Sequence, residues 1–240
     1  MNSVVVVGAA TGVGRFVAIE AGRRGIEHLR VVDRDTDALT QLKSELDGPR
    51  VVRSEGFDLV DPVALAGFAD HLAQEPPDLL INCAGVREVA PIQDTTDEIW
   101  HATISVNLTA AFMLTRAAAR AMIASGTQGV IVNVASVASE VGFSDRAAYC
   151  ASKAGVLGLT RAAAIDLGPY GIRVVCISPG VHNTGMAVQA NNDDQFSTIP
   201  MRRPGDPADL ARVIFDIAGS PFVTGVNIVV DGGATAGYPL

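Results

Sequence analysis

Apolar residues fall into short, unbroken runs at 3–7 (SVVVV), 29–33 (LRVVD), 50–53, 79–82 (LLIN), 129–135 (GVIVNVA), 172–178 (IRVVCIS) and 226–230 (VNIVV). Runs of this length that do not alternate with polar residues predict strands covered on both faces. Between them, helix-like segments occupy 13–25, 35–46, 62–74, 96–125, 147–168 and 206–218. Asp35 and Asp61 stand where N-caps belong, and Pro62 follows at the first helical position. Gly25 and Gly48 sit near helix ends, where glycine is a stop signal. Regular alternation of strand and helix predicts an α/β fold, a parallel sheet with helices on both faces. No linker, repeat or low-complexity tract breaks the alternation, so residues 1–240 read as one domain.

Two departures from this rhythm carry information. The helices over 101–125 and 147–168 are rich in Ala, Gly, Ser and Thr, side chains small enough for close approach to the sheet or across a subunit boundary. The stretch 185–200 lacks periodicity and follows a strand's C-terminal end. Open α/β sheets bind ligands at that end, so 185–200 is expected to be a substrate lid rather than an ordinary surface loop.

Composition narrows the class. Hydrophobic residues make up 48% of the 240 and charged residues 18%, enough for a sizeable core and too apolar for disorder. A formal charge of −8 with no basic cluster argues against a nucleic-acid partner. No run approaches the ~20 apolar residues of a membrane span. The N-terminal apolar run Val4–Val7 leads directly into a glycine loop rather than a secretory leader, so the expected location is cytoplasmic. Cys83, Cys150 and Cys176 are odd in number and widely spaced, and are expected to be reduced thiols that hold no metal.

Candidate chemistry gathers at two places. The run from Val7 to Gly14, with Gly8, Gly12 and Gly14 in a G-x-x-x-G-x-G spacing, joins the first strand to the first helix. Glycine there permits a tight turn and close approach of backbone to a pyrophosphate, and the helix N-terminus adds N–H donors. Gly8, Thr11, Gly12, Val13 and Gly14 are therefore nucleotide-binding candidates. Asp33 ends the second strand 19 residues past Gly14, where an acid would bond adenosine ribose hydroxyls and repel a 2′-phosphate, which favours NAD over NADP. The neighbouring Arg34 is the counter-argument, because an arginine beside the ribose could accommodate that phosphate.

The second place is Tyr149-Cys-Ala-Ser-Lys153, with Ser136 thirteen residues before the tyrosine. Residues four apart share a helix face, and a cation beside a phenol favours its ionised form. Ser136 closes the strand GVIVNVAS, from which its hydroxyl could bond the substrate oxygen that Tyr149 protonates or deprotonates. The bland alternative is a solvated helical pair.

These motifs together resemble the short-chain dehydrogenase/reductase family over nearly the whole length, from Val4 to Gly233. The matching residues are Gly8, Gly12 and Gly14; Asp58-Leu59; Asn82-Cys-Ala-Gly85; Val106-Asn107-Leu108; Ser136; Tyr149 and Lys153; Pro179-Gly180 with Thr184; and Thr224-Gly225 before Asp231-Gly-Gly233. The resemblance implies a Rossmann-type, doubly wound sheet of seven parallel strands in the order 3-2-1-4-5-6-7. It implies that Asp58 and Leu59 contact adenine, and that Asn82, Ala84 and Gly85 line the adenosine side. Lys153 would hold the nicotinamide ribose beside Tyr149, and Pro179, Gly180 and Thr184 would position the carboxamide. Asn107 would complete a catalytic tetrad with Ser136, Tyr149 and Lys153 by holding a water that links the lysine to solvent, and would distort its helix. The two small-residue helices would form a homo-oligomer interface, as a tetramer or a dimer.

Three positions depart from the family pattern: Val7 for a common Thr, Cys83 for the second Asn of Asn-Asn-Ala-Gly, and His182 for Val or Ile. His182 either faces the substrate or is a surface imidazole. Arg87, Glu140, Phe143 and Arg146 are pocket candidates by location alone. The activity expected is NAD-dependent interconversion of a small-molecule secondary alcohol and a ketone. A 3-oxoacyl-thioester reductase is the alternative within the family, although such enzymes usually prefer NADPH and carry a basic residue where this chain has Ala10 and Thr11. Outside that class stand a non-catalytic nucleotide-binding scaffold and a cofactor-free halohydrin-processing relative, which the glycine loop and Asp33 oppose.

Overall fold

The structure, a computed structural model, describes residues 1–46, 51–184 and 196–237. Gly48 and most of the expected lid lie outside them. Seven strands, β1 (Ser3–Val7), β2 (His28–Asp33), β3 (Val51–Gly56), β4 (Leu79–Asn82), β5 (Val130–Val134), β6 (Arg173–Pro179) and β7 (Asn227–Val230), form one sheet in the order β3-β2-β1-β4-β5-β6-β7. Every pairing is parallel. The fold is the seven-stranded Rossmann type expected.

Among the described residues, seven α-helices flank it: α1 (Gly12–Arg23), α2 (Thr36–Glu45), α3 (Pro62–Gln74), α4 (Asp97–Ile104), α5 (Ala110–Ser125), α6 (Ala147–Leu167) and α7 (Pro207–Ala218). The predicted caps form. Asp35 accepts from the Ala38 N–H, and Asp61 accepts from the N–H groups of Val63 and Ala64, with Pro62 at the first position. Each cap satisfies donors that the first helical turn leaves unpaired.

The valines of β1 show why the strands read as unbroken apolar runs. Val4 and Val6 pack with Val17, Leu210 and Ile214 of α1 and α7. Val5 and Val7 pack with Phe68, Leu72, Leu114 and Met122 of α3 and α5. Successive side chains point to opposite faces, and here both faces are buried. The parallel register brings the strand C-termini into one line, so the loops after β1, β2, β3, β4, β5 and β6 gather along a single edge. Among the described residues, no helix is long and apolar enough to cross a membrane.

Candidate active site

A cavity of about 620 Å³ opens along that edge. It is lined from one end by Gly8, Thr11, Gly12 and Val13, then by Asp33, Arg34, Asp58 and Leu59, and farther on by Ser136, Tyr149 and Lys153. The glycine loop and the Tyr149/Lys153 pair, 135 positions apart at their nearest ends, thus share one space because the order β1-β4-β5 sets their loops side by side.

The loop's shape depends on missing side chains. Gly8 is left-handed (φ 77°), and a Cβ on it would stand 2.6 Å from the Ala84 nitrogen. A Cβ on Gly14 would stand 2.0 Å from the Gly8 carbonyl oxygen. Gly14 therefore works from beneath, by letting α1 press against the loop, and does not itself line the cavity. Thr11 caps α1 with extended backbone and no side-chain cap bond. Asp33 braces the loop: one carboxylate oxygen accepts from the Ala10 N–H at 3.0 Å and the other from the Asp35 N–H at 3.2 Å. Arg34 lies 4.0 Å from the Asp58 carboxylate.

At the other end, Ser136 follows β5 and caps a short 3₁₀ turn over Val137–Ser139. Its Oγ accepts from the Ala138 N–H at 3.1 Å, which uses a lone pair and leaves the hydroxyl proton free to donate. A chain of side chains fixes this turn to the sheet. Ser139 donates to the Ser136 carbonyl at 2.6 Å and lies 3.1 Å from the Ser178 hydroxyl, which donates to Asn227 at 2.8 Å. Asn227 in turn donates to Glu140 at 2.6 Å. Glu140 is occupied in this brace and does not line the cavity, contrary to what its position in the chain suggests.

Tyr149 and Lys153 lie one turn apart on α6, with the ammonium 5.8 Å from the phenol ring centroid. Lys153 is buried and donates to the Val134 carbonyl at 3.0 Å, so two N–H donors remain available. Among the described residues no carboxylate pairs with it. The nearby thiols do not neutralise it either: burial pushes Cys83 up to about 12 and Cys176 up to about 11, against the opposing pull of the Lys153 charge.

Asn107 sits inside a π turn, Ser105–Thr109, that joins α4 to α5. The helix is thus distorted where the resemblance implied. The Asn107 side chain is buried and fully engaged: its Oδ1 accepts from the Val86 N–H at 2.8 Å, and its Nδ2 donates to the Val86 carbonyl at 2.9 Å and to the Ser152 hydroxyl at 3.0 Å. A Cβ on Gly85 would stand 3.2 Å from Lys153 Nζ and 3.4 Å from Asn107 Oδ1, so the two side chains converge on this glycine. Asn107 shapes the cavity wall without lining it.

Asn82 departs from its expected place. Rather than lining the adenosine side with Ala84 and Gly85, it lies beneath the cavity, donating to Asn133 at 2.7 Å; Asn133 donates on to Thr160 at 3.1 Å. His182 is not a surface imidazole. It is 4% exposed, its Nδ1 lies 3.1 Å from the Gly180 carbonyl, and its ring covers Gly205, where a Cβ would stand 2.5 Å from two ring atoms. Pro179, Gly180 and Thr184 line the cavity beside it. Sequence reasoning missed part of the apolar lining, including Phe57, Val86 and Val137. Position just after a strand end is the one signal these residues offered.

The arrangement places a phenol, a hydroxyl donor and a buried ammonium at one end of a cleft whose other end presents a glycine-rich helix N-terminus and a carboxylate. The short chain dehydrogenase family profile matches residues 2–195. The chain is 32% identical to a (3R)-3-hydroxyacyl-CoA dehydrogenase of Canis lupus familiaris, over 95% of this chain and 94% of the relative. It is also 32% identical to a D-threitol dehydrogenase of Mycolicibacterium smegmatis, over 96% and 92%. A solved 4-hydroxyisoleucine dehydrogenase, complexed with NADH and succinate, superposes with a TM-score of 0.89 at 33% identity, covering 98% of this chain and 100% of that one. By profile, by full-length relatives and by fold, this chain belongs to the short-chain dehydrogenase family.

Proposed function

We propose that this protein is an NAD-preferring oxidoreductase that interconverts a secondary alcohol and a ketone, with Tyr149 as acid and base. The observation that carries this is the shared cavity of Tyr149, Lys153 and Ser136 with Gly8, Gly12 and Asp33. The residues fit a dinucleotide. Gly8, Thr11, Gly12 and Val13 line the cavity at the start of α1, with open space where a Gly12 Cβ would stand, and a helix N-terminus offers unpaired N–H donors to a phosphate. There, Gly8, Thr11, Gly12 and Val13 would hold the pyrophosphate and Asp33 the adenosine ribose. Asp58, Leu59, Ala84 and Gly85 would flank the adenine half, and Lys153, Pro179, Gly180 and Thr184 the nicotinamide half.

When bound, the nicotinamide supplies the carbon that gives or takes hydride. In the oxidative direction, Tyr149 Oη accepts the proton of the substrate hydroxyl. Ser136 Oγ, already an acceptor from Ala138, donates to the same substrate oxygen and holds it against the phenol. Asn107 positions Val86 and Gly85 beside the lysine. The Arg34 guanidinium is directed toward Asp58, which supports a carboxylate-dominated ribose site and a preference for NAD. The relative solved with NADH supports the same reading. Because relatives act on a thioester and on a polyol, a 3-oxoacyl-thioester reductase is retained as the second reading.

The test is an NAD⁺ reduction screen across secondary alcohols with Tyr149→Phe as the control. Loss of the phenol should lower kcat by at least ~10²-fold while leaving NADH binding, read by fluorescence titration, intact. Wild-type turnover by the phenylalanine variant would end this mechanism. Efficiency with NAD should exceed that with NADP by at least ~10-fold, about 1.4 kcal/mol. We further propose that the enzyme is cytoplasmic and assembles as a dimer or tetramer through α5 and α6.

A further inference from the structure

The cavity wall near Tyr149 holds a cation that the reaction as described does not use. Arg146 stands three residues before Tyr149, at the start of α6, and lines the same cavity. Its guanidinium carbon lies 5.5 Å from the centroid of the Phe143 ring, within the range of a cation–π contact. Its Nε is buried without a hydrogen-bond partner, and among the described residues no carboxylate pairs with it. A buried, unmatched N–H on a charged group is costly, so the position calls for an acceptor.

The backbone around Arg146 is fixed as well. Asp145, just before it, is left-handed (φ 59°), a conformation uncommon outside glycine that Asp tolerates better than most residues. The Asp145 carbonyl accepts from the Ala90 N–H at 2.9 Å, and Ala90 forms a parallel bridge with Arg146. This contact ties the loop after β5 to the loop after β4, which carries a second cavity-lining arginine, Arg87. The described carboxylates that line the cavity, Asp33 and Asp58, follow β2 and β3 at the opposite end. Among the described residues, the Lys and Arg side chains lining the cavity toward Tyr149 are Arg87, Arg146 and Lys153.

We propose that Arg146 receives a carboxylate, so that the alcohol handled at Tyr149 is a hydroxy acid with its acid group a few carbons from the carbinol. This rests on the secondary-alcohol reading above and narrows it. An arginine offers a planar pair of donors that matches a carboxylate, whereas a carboxamide or thioester brings no charge to it. Arg146 and Tyr149 stand three residues apart and line the same cavity, so the hydroxyl and the acid are expected within one short substrate.

The experiment compares 3-hydroxybutanoate, 4-hydroxypentanoate and 5-hydroxyhexanoate with their carboxamides and S-pantetheine thioesters. At one chain length or more, the wild type should favour the acid over its amide by at least ~30-fold in kcat/KM. Arg146→Met should bring that ratio within ~3-fold, and Arg146→Lys should fall between. Calorimetric titration of pentanoate against pentanamide in the presence of NADH gives a readout free of turnover: wild type should bind the acid ~10-fold tighter, and Arg146→Met should lose the difference. An amide or thioester used as well as the acid by wild type would overturn the proposal. So would a preference for the acid that persists in Arg146→Met. If no secondary alcohol is turned over, the function reading fails by itself, and the titration still decides whether Arg146 binds a carboxylate.

Discussion

The two oxygens of Asp33 divide between the Ala10 and Asp35 N–H groups, so this carboxylate shapes the glycine loop as well as lining the cavity. The two roles separate in Asp33→Asn, whose amide oxygen can keep the bond to Ala10 while the charge is gone. The ratio of NAD to NADP efficiency should fall by at least ~10-fold, chiefly through improved use of NADP, because charge repels the 2′-phosphate. Steady-state kinetics with both cofactors checks this, and an unchanged ratio would remove Asp33 as the discriminator. A different residue-scale consequence follows from Val7. It pairs in register with Asn82, and partners across parallel strands share a face. Asn82 Oδ1 is buried with no partner among the described residues. Val7→Thr would bring a hydroxyl donor to that face, and thermal unfolding should rise by about 2–4 °C, the equivalent of about 1 kcal/mol. A melting temperature at or below wild type would show that the hydroxyl does not reach. Residues such as Tyr149, Lys153 and Asp33 were legible in the sequence because each sits at a fixed offset from a strand or helix end. Asn82 was expected on the adenosine side and His182 was left open between pocket and surface, because their side-chain directions depend on Asn133 and Gly205, neighbours far away in the chain.

The 97–125 region is continuous apolar-and-small sequence and reads as one helix, yet the backbone inserts a π turn at Ser105–Thr109 between α4 and α5. Periodicity cannot show this, since one turn of wider helix barely disturbs a 3.6-residue pattern; the resemblance did anticipate a distortion there. The turn has a physical anchor in Asn107, whose amide satisfies both the N–H and the carbonyl of Val86 on the loop after β4. An alanine at 107 would leave both Val86 groups unmatched. A loss of about 2–4 kcal/mol is expected, which for a protein of this size lowers the melting temperature by about 5–15 °C. The cavity wall at Gly85 and Val86 should loosen with it, so NADH binding should weaken in the same variant. Calorimetry and a fluorescence titration test the two effects, and a melting temperature within about 2 °C of wild type would show that Asn107 does not hold the turn. Strand positions were easier to read, because burial on both faces leaves unbroken valine and isoleucine runs. β3 is the exception. It is an edge strand whose exposed polar residues, Arg53 to Glu55, hid its second half from the hydrophobic pattern.

At the scale of the whole molecule, the same small residues serve two surfaces with different consequences. Inward, Gly155 of α6 lets Leu108 approach so closely that a Cβ would stand 2.6 Å from its side chain, which packs α6 against the π turn and so against the Tyr149 end of the cleft. Outward, Ala151, Ala154, Gly158 and Ala162 recur along the exposed face of α6, which ends at Ile165, 78% exposed. On α5, Phe112 is 43% and Ile123 39% exposed. A lone exposed apolar residue needs no explanation, but two adjacent helices presenting small residues with large apolar ones at intervals can bring matching helices of a second copy into close contact. A face shared in this way is self-complementary about a two-fold axis, the commonest symmetry of homo-oligomers. The molecule should therefore run in light scattering at a multiple of its 24.9 kDa chain mass. Ile165→Asp and Phe112→Asp place charges on that face and should shift the mass toward a single chain, with Tyr149 chemistry reduced as α6 loses its support. A wild-type protein that is monomeric at tens of micromolar would remove the face as an interface. A mass that stays multiple in both variants would move the interface elsewhere, with the β7 edge, where Val229 is 39% exposed, as the next surface to charge.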